Sequence, residues 1–163
     1  MAEGEFALVR QHLEQALPQA ALPPGNAAPG SDHDLYAVLA DTCAQQRDLE
    51  GLLKYAPLAE ATAARCGHQL YLGIAHRAWG VAHRLAGDYA ASAARLRQAL
   101  EIFETLDTRW QLGRTWAEFG ELATAQNQRQ PAQRHYQNAL QLFEALGAKP
   151  DAGRARAALD ALA

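Results

Sequence analysis

Cysteine is all but missing from the sequence: Cys43 and Cys66 are the two in 163 residues. Two thiols cannot build a disulfide framework, and their spacing is not that of a C-x-x-C metal or redox motif. Both read as reduced thiols at interior-facing positions. Aromatics make up 7% of the chain and β-branched residues are sparse, while alanine, leucine, glutamine and arginine prevail. That is the composition of helices rather than of a sheet. An excess of one charge is missing too. The formal net charge of −3 excludes the basic surface that nucleic-acid binding needs. No apolar run approaches the ~20 residues that span a membrane, and Glu3 and Glu5 stand where an export signal would be positive. A soluble, cytoplasmic, single-domain protein is expected, with neither nucleic acid nor membrane as a partner.

Catalytic chemistry is as thinly represented. No strand-linked glycine-rich loop offers a phosphate cradle, and there is no nucleophile elbow. His76 and His83 lie seven residues apart on one helical face, but no Cys, Asp or Glu joins them on that helix at ligand spacing. They read as packed, hydrogen-bonded histidines. The segment HLEQA at His12 is not the H-E-x-x-H arrangement. A protein without catalytic residues, metal or cofactor is expected.

What the chain has is repetition. Leu72, Gly73, Gly80, Ala99, Leu100, Phe103, Glu104 and Leu106 return forty residues later as Leu112, Gly113, Gly120, Ala139, Leu140, Phe143, Glu144 and Leu146. A fixed period of that length marks stacked supersecondary units that bury one another's apolar faces. Residues 32–71 give a weaker copy, with Ala40 at the Gly80 position, Asp48 at Asp88 and Ala59 at Ala99. Three repeats are expected, at 32–71, 72–111 and 112–150. The spacing predicts helices from Ser31 to about Gln46, then Leu49–Arg65, Gln69–Ala86, Tyr89–Leu106, Arg109–Gln126, Pro131–Leu146 and Asp151–Leu162. Gly67, Gly87 and Gly147 fall where helices end. Residues 4–17 match the second helix of a repeat, with Phe6 on Tyr89 and Leu13 on Leu96. Residues 18–31, rich in proline and glycine, form a loop, and Ser31 with Asp34 makes a capping-box-like start. The last segment, 151–163, reads as a polar capping helix.

With these residues in register, the chain resembles the tetratricopeptide repeat family in its forty-residue form. The first helix of each repeat carries the small contact residue, Ala40, Gly80 and Gly120, beside Leu39, Trp79 and Phe119. The second helix carries Leu52, Ser92 and Ala132, then Ala56, Leu96 and Tyr136, then the alanine Ala59, Ala99 and Ala139. Cys43, His83 and Ala123 depart from the tyrosine usual in the first helix. The resemblance implies an all-α, right-handed superhelix of helical hairpins, whose concave groove takes a peptide or helix of a partner protein. Carried over by register, the groove residues are Arg77, Arg84 and Arg114, which would hold a ligand carboxylate through forked hydrogen bonds. Asp41 and Glu121 would set orientation, and Ile74, Val81 and Leu85 would give apolar contact. The competing reading pairs the same arginines with Asp34, Asp41 and Glu121 on neighbouring helices. Exchanging Arg77 and Arg84 for glutamate is expected to weaken binding without unfolding the domain. Trp79 and Phe119 read as core, and Trp110 as either a partner contact or a cover over the turn between repeats. Two other functional readings stay open. The half-repeat at 4–17 suits a sensor or regulatory segment of a larger signalling protein, and that helix or the last could mediate self-association.

Overall fold

The turns set the architecture. In the computed structural model, backbone φ is positive at Arg47 (57°), Gly67 (67°), Gly87 (83°), Asp107 (49°), Asn127 (58°) and Gly147 (66°). These positions recur every twenty residues, at half the period of the sequence repeat. Each stops one helix in the left-handed conformation and re-aims the chain for the next. Residue 48, 68, 88, 108, 128 or 148 then caps the following helix. Asp48 and Asp88 do so with their carboxylates, which accept from the backbone N–H of Gly51 and Ala91 at 3.0 Å.

The structure describes residues 32–162 together with Gln11, His12 and Gln15, which are helical. The rest of the expected leading helix, the 18–31 loop and the Ser31 cap lie outside the described residues. Seven helices follow in order from residue 32: α1 (Asp32–Gln46), α2 (Leu49–Cys66), α3 (Gln69–Leu85), α4 (Tyr89–Thr105), α5 (Arg109–Ala125), α6 (Arg129–Ala145) and α7 (Lys149–Asp160). Among the described residues there is no strand. The helices expected from residue 31 onward are all present, with ends shifted by at most two residues.

Small residues let the two helices of a hairpin meet. A Cβ on Gly80 would lie 2.6 Å from Leu96 Cδ2, and one on Gly120 2.5 Å from Tyr136 Cε1. Neither separation is tolerable for carbon atoms, so glycine is required by the approach of α4 to α3 and of α6 to α5. Ser92 Oγ donates to the Gly80 carbonyl at 2.7 Å and closes the same seam. Further along the same hairpins, Phe103 covers Gly73 and Phe143 covers Gly113. Both rings are interior, at 0% and 2% exposure. The stack therefore repeats one joint.

Each helix packs on its chain neighbours, and the first helices also touch one another, α1 on α3 and α3 on α5. The second helices α2, α4 and α6 make no comparable contact among the described residues. Units that touch along one edge and splay along the other must curve. The result is an all-α hairpin solenoid with α1, α3 and α5 on its inner face.

Three sequence readings need correction. Cys43 is buried as expected, but Cys66 is exposed, because it is the last residue of α2 and lies at the turn. Trp79 and Phe119 are half-buried rather than interior, since each flanks the seam at its outer margin.

Candidate functional site

Helical spacing puts the polar residues of the inner face in line. Arg77 and Arg84 are seven residues, or two turns, apart on α3, and Arg114, Glu118 and Glu121 follow at four and three on α5. Asp41 is on α1, and Arg47 is the left-handed residue that ends it. These side chains form a network of two adjoining clusters, one around Asp41 and one around Glu118. Asp41 accepts from Arg77 Nη2 at 2.9 Å and from Arg114 Nη1 at 2.8 Å. Arg77 Nη1 also donates to Gln111 Oε1 at 2.6 Å. Glu118 accepts from Arg47 Nη1 with both oxygens at 2.8 Å, and from Arg84 Nη2 at 3.3 Å. Glu121 is held more loosely, 3.7 Å from Arg84 and 3.9 Å from Arg47.

Electrostatics follow from that geometry. Burial alone would raise the Asp41 carboxyl, but the Arg114 and Arg77 guanidinia outweigh it and bring the group to about 2. Arg77 is the opposite case: burial and the neighbouring Arg114 charge bring its pKa down to about 10, despite Asp41. At Arg114 the order reverses, and Asp41 overcomes burial to raise the pKa. The Tyr136 hydroxyl is pushed up to about 12 by burial and by Glu121. Four arginines against Asp41, Glu118 and Glu121 leave the network one cation in excess.

A cleft of about 290 Å³ opens beside this network. Gln45 and Arg47 form one wall, Arg114, Ala117, Glu118 and Glu121 of α5 the floor, and Asp151, Arg154, Ala155 and Ala158 of α7 the far wall. Tyr136 and Phe143 of α6 close its apolar end. Trp110 stands next to it, 43% exposed, with Arg114 Cζ 4.9 Å from its ring centroid and its Nε1 donating to Asp151 Oδ2 at 3.2 Å. It thus links α5 to α7 while keeping part of its ring exposed.

The residues expected in the groove divide into three groups. Arg114 and Glu121 line the cleft. Arg77, Arg84 and Asp41 lie within the ionic network, and the arginines there pair with the chain's own carboxylates, as the competing reading had it. Arg77 is only 2% exposed, so a glutamate there would put a second carboxylate against Asp41 and unfold the domain rather than spare it. Ile74 and Val81, at 8% and 1%, are core, and so present no contact surface. Val81 packs with Leu39, Ala40 and Leu52, and Ile74 with Ala37, Ala99 and Phe103. Lateral contact between α1, α3 and α5 leaves a narrower open face than the register implied. Leu85 is half-buried against the first core cluster.

Glu118, Arg47, Tyr136 and Arg154 were missed as site residues. Glu118 had a readable signal, because a carboxylate stands where the other repeats have Val38 and Ala78. Arg47 was hidden as a turn residue. A second polar cluster lies elsewhere on α3. His76 Nδ1 is 3.0 Å from Arg95 Nη1, and Glu60 accepts from Arg95 Nη1 and Trp79 Nε1 at 2.7 Å each. Arg95 can only donate, so His76 is neutral at that nitrogen, and burial holds its pKa below the usual histidine value. His83 stacks on Trp79 at 5.5 Å.

Fold and site together define a class: a helical-repeat protein with a charged cleft on its inner face. No family model and no curated protein matches the chain. Among solved structures it is similar to BtubC (BKLC) from P. vanneervenii, with a TM-score of 0.64 and 19% identity over 98% of this chain and 72% of that one. At that identity the likeness is one of fold. No helix among the described residues is long and apolar enough to cross a membrane.

Proposed function

We propose that the protein is a non-catalytic interaction scaffold of the tetratricopeptide type, acting in the cytoplasm, that captures a segment of a partner protein in the cleft between α1, α5, α6 and α7. The observation that carries this reading is the lining of the cleft. Arginine, tyrosine and an adjoining tryptophan, the residue types that dominate binding energy at interfaces, converge on it from three helices and a turn. An extended peptide or helix laid along the inner face would bury apolar side chains against Ala117 and Ala158, the half-buried apolar residues of the lining. Its polar groups would meet Arg154, Glu121 and Arg47, the more exposed charges of the lining. The peptide-carboxylate role first assigned to Arg77 passes to these outer groups, because Arg77 is enclosed.

The test uses peptides selected from a displayed library on the whole protein and then titrated by calorimetry. The double variant Arg154→Glu/Ala158→Glu alters the lip of the cleft at an exposed and a half-buried position. A loss of affinity of about tenfold or more, worth ~1.4 kcal/mol, is expected with unchanged thermal unfolding. The control Arg97→Glu/Asn138→Glu changes exposed positions on α4 and α6 and should bind as the parent does. Equal affinity of both variants for every selected peptide would put the binding surface elsewhere.

A further inference from the structure

In a repeat array each unit normally touches only its neighbours, and curvature is the sum of small rotations between them. This chain breaks that rule on its inner face. Asp41 of α1 bonds Arg114 of α5, 73 residues away, at 2.8 Å. Arg47, at the end of α1, bonds Glu118 of α5, 71 residues away, also at 2.8 Å. Both bonds pass over α3, the helix that separates α1 from α5 in the stack. The first hairpin is thereby tied directly to the third.

We propose that the Asp41–Arg114 and Arg47–Glu118 pairs are a brace that fixes the curvature of the solenoid and holds the α1 wall of the cleft in place. Three further observations support this. First, both bonds are charge-assisted, and the Asp41–Arg114 pair is enclosed, at 19% and 12% side-chain exposure, so solvent screens it less than a surface pair; Arg47 is more open at 37%, against 15% for Glu118. Second, both carboxylates are shared with α3 or its end, Asp41 with Arg77 and Glu118 with Arg84. The middle hairpin is therefore locked into the same brace. Third, Arg47 holds a left-handed φ of 57°, a conformation unfavourable for a residue with a side chain. The other left-handed turns include glycine three times, yet the turn facing Glu118 carries an arginine.

The brace acts on shape alone, so its test is independent of whatever enters the cleft. The double variant Arg47→Gly/Arg114→Met removes both cross-links, and it leaves the Asp41–Arg77 and Arg84–Glu118 pairs intact. Glycine relieves the turn, and methionine keeps most of the buried volume. Spin labels go on cysteines at Glu50 and Gly153 in a Cys66→Ser background, both exposed positions outside the network. A Cβ at Gly153 meets nothing within 4 Å. Distances are read by double electron–electron resonance. The unbraced chain is expected to give a longer mean distance and a broader distribution than the parent, with unchanged helical circular dichroism. The control Arg65→Met/Arg97→Met, at two exposed arginines, should match the parent. Coincident distributions for unbraced, control and parent chains would overturn the proposal, as curvature would then be set by packing alone.

Discussion

The joints between helices and the network on the inner face are built by opposite rules. At the joints the contact residues recur: Gly80 with Gly120, Ala99 with Ala139, Phe103 with Phe143. In the network almost nothing does. Forty residues from Arg77 stand Ala37 and Ala117, from Arg114 stands Ile74, from Glu118 stands Ala78, and from Arg84 stand Ala44 and Thr124. Asp41 corresponds to Val81, with only Glu121 repeating its charge. Packing asks the same of every unit, because every unit must bury the same face. A site of one kind needs its residues once, so the chain places them where the repeat tolerates variation.

If the joints are equivalent, the same substitution in two repeats should cost the same. Phe103→Ala and Phe143→Ala each empty a ring-sized space against a glycine of the facing helix. Each should lower stability by ~3–5 kcal/mol, read as the shift in urea unfolding. Costs differing by more than about half would mean that the repeats are equivalent in geometry but not in packing.

The network should respond instead to charge. Asp41 titrates at about 2 in the fold, against 3.8 for the unperturbed group. A depressed folded value means that the unfolded chain binds the proton first as acid is added. The stabilisation is therefore full above about pH 4 and drains away as pH falls through 2. The shift corresponds to about 2 kcal/mol. Asp41→Asn should be less stable than the parent by that order near neutrality, and the gap should close across pH 4 to 2. A gap of constant size would assign the loss to shape, and would separate the network less sharply from the joints.

The fold was legible because its signal is written several times over. The network was legible only in part, for a physical reason. Periodicity assigns a face to each position, and it assigned Val81 and Ile74 to the open face by analogy with a wider groove. Lateral contact among α1, α3 and α5 closes over those two side chains, and pairing across 73 residues has no local trace. Arg77 was visible as a charge on the inner face, whereas its enclosure by Asp41 and Gln111 depends on curvature, which no short window of sequence contains. Glu118 could have been found by asking which charges interrupt the repeat rather than which residues continue it.

The turns offer the finest comparison, since one backbone conformation is met by four residue types. Gly67, Gly87 and Gly147 adopt the left-handed region freely, while Arg47, Asn127 and Asp107 are held there by the helices on either side. Arg47 has a partner in Glu118 that accounts for its presence, and asparagine tolerates this region better than most residues. Asp107, at φ 49°, belongs to the same tolerant class as asparagine. Asp107→Gly and Asn127→Gly should therefore each raise stability by less than ~1 kcal/mol. Arg47→Gly should gain least or lose, because relief of the turn is offset by the lost bond to Glu118. Urea unfolding of the three variants orders them directly. An equal gain at all three would show that the Arg47 bond adds nothing to the stability of its turn.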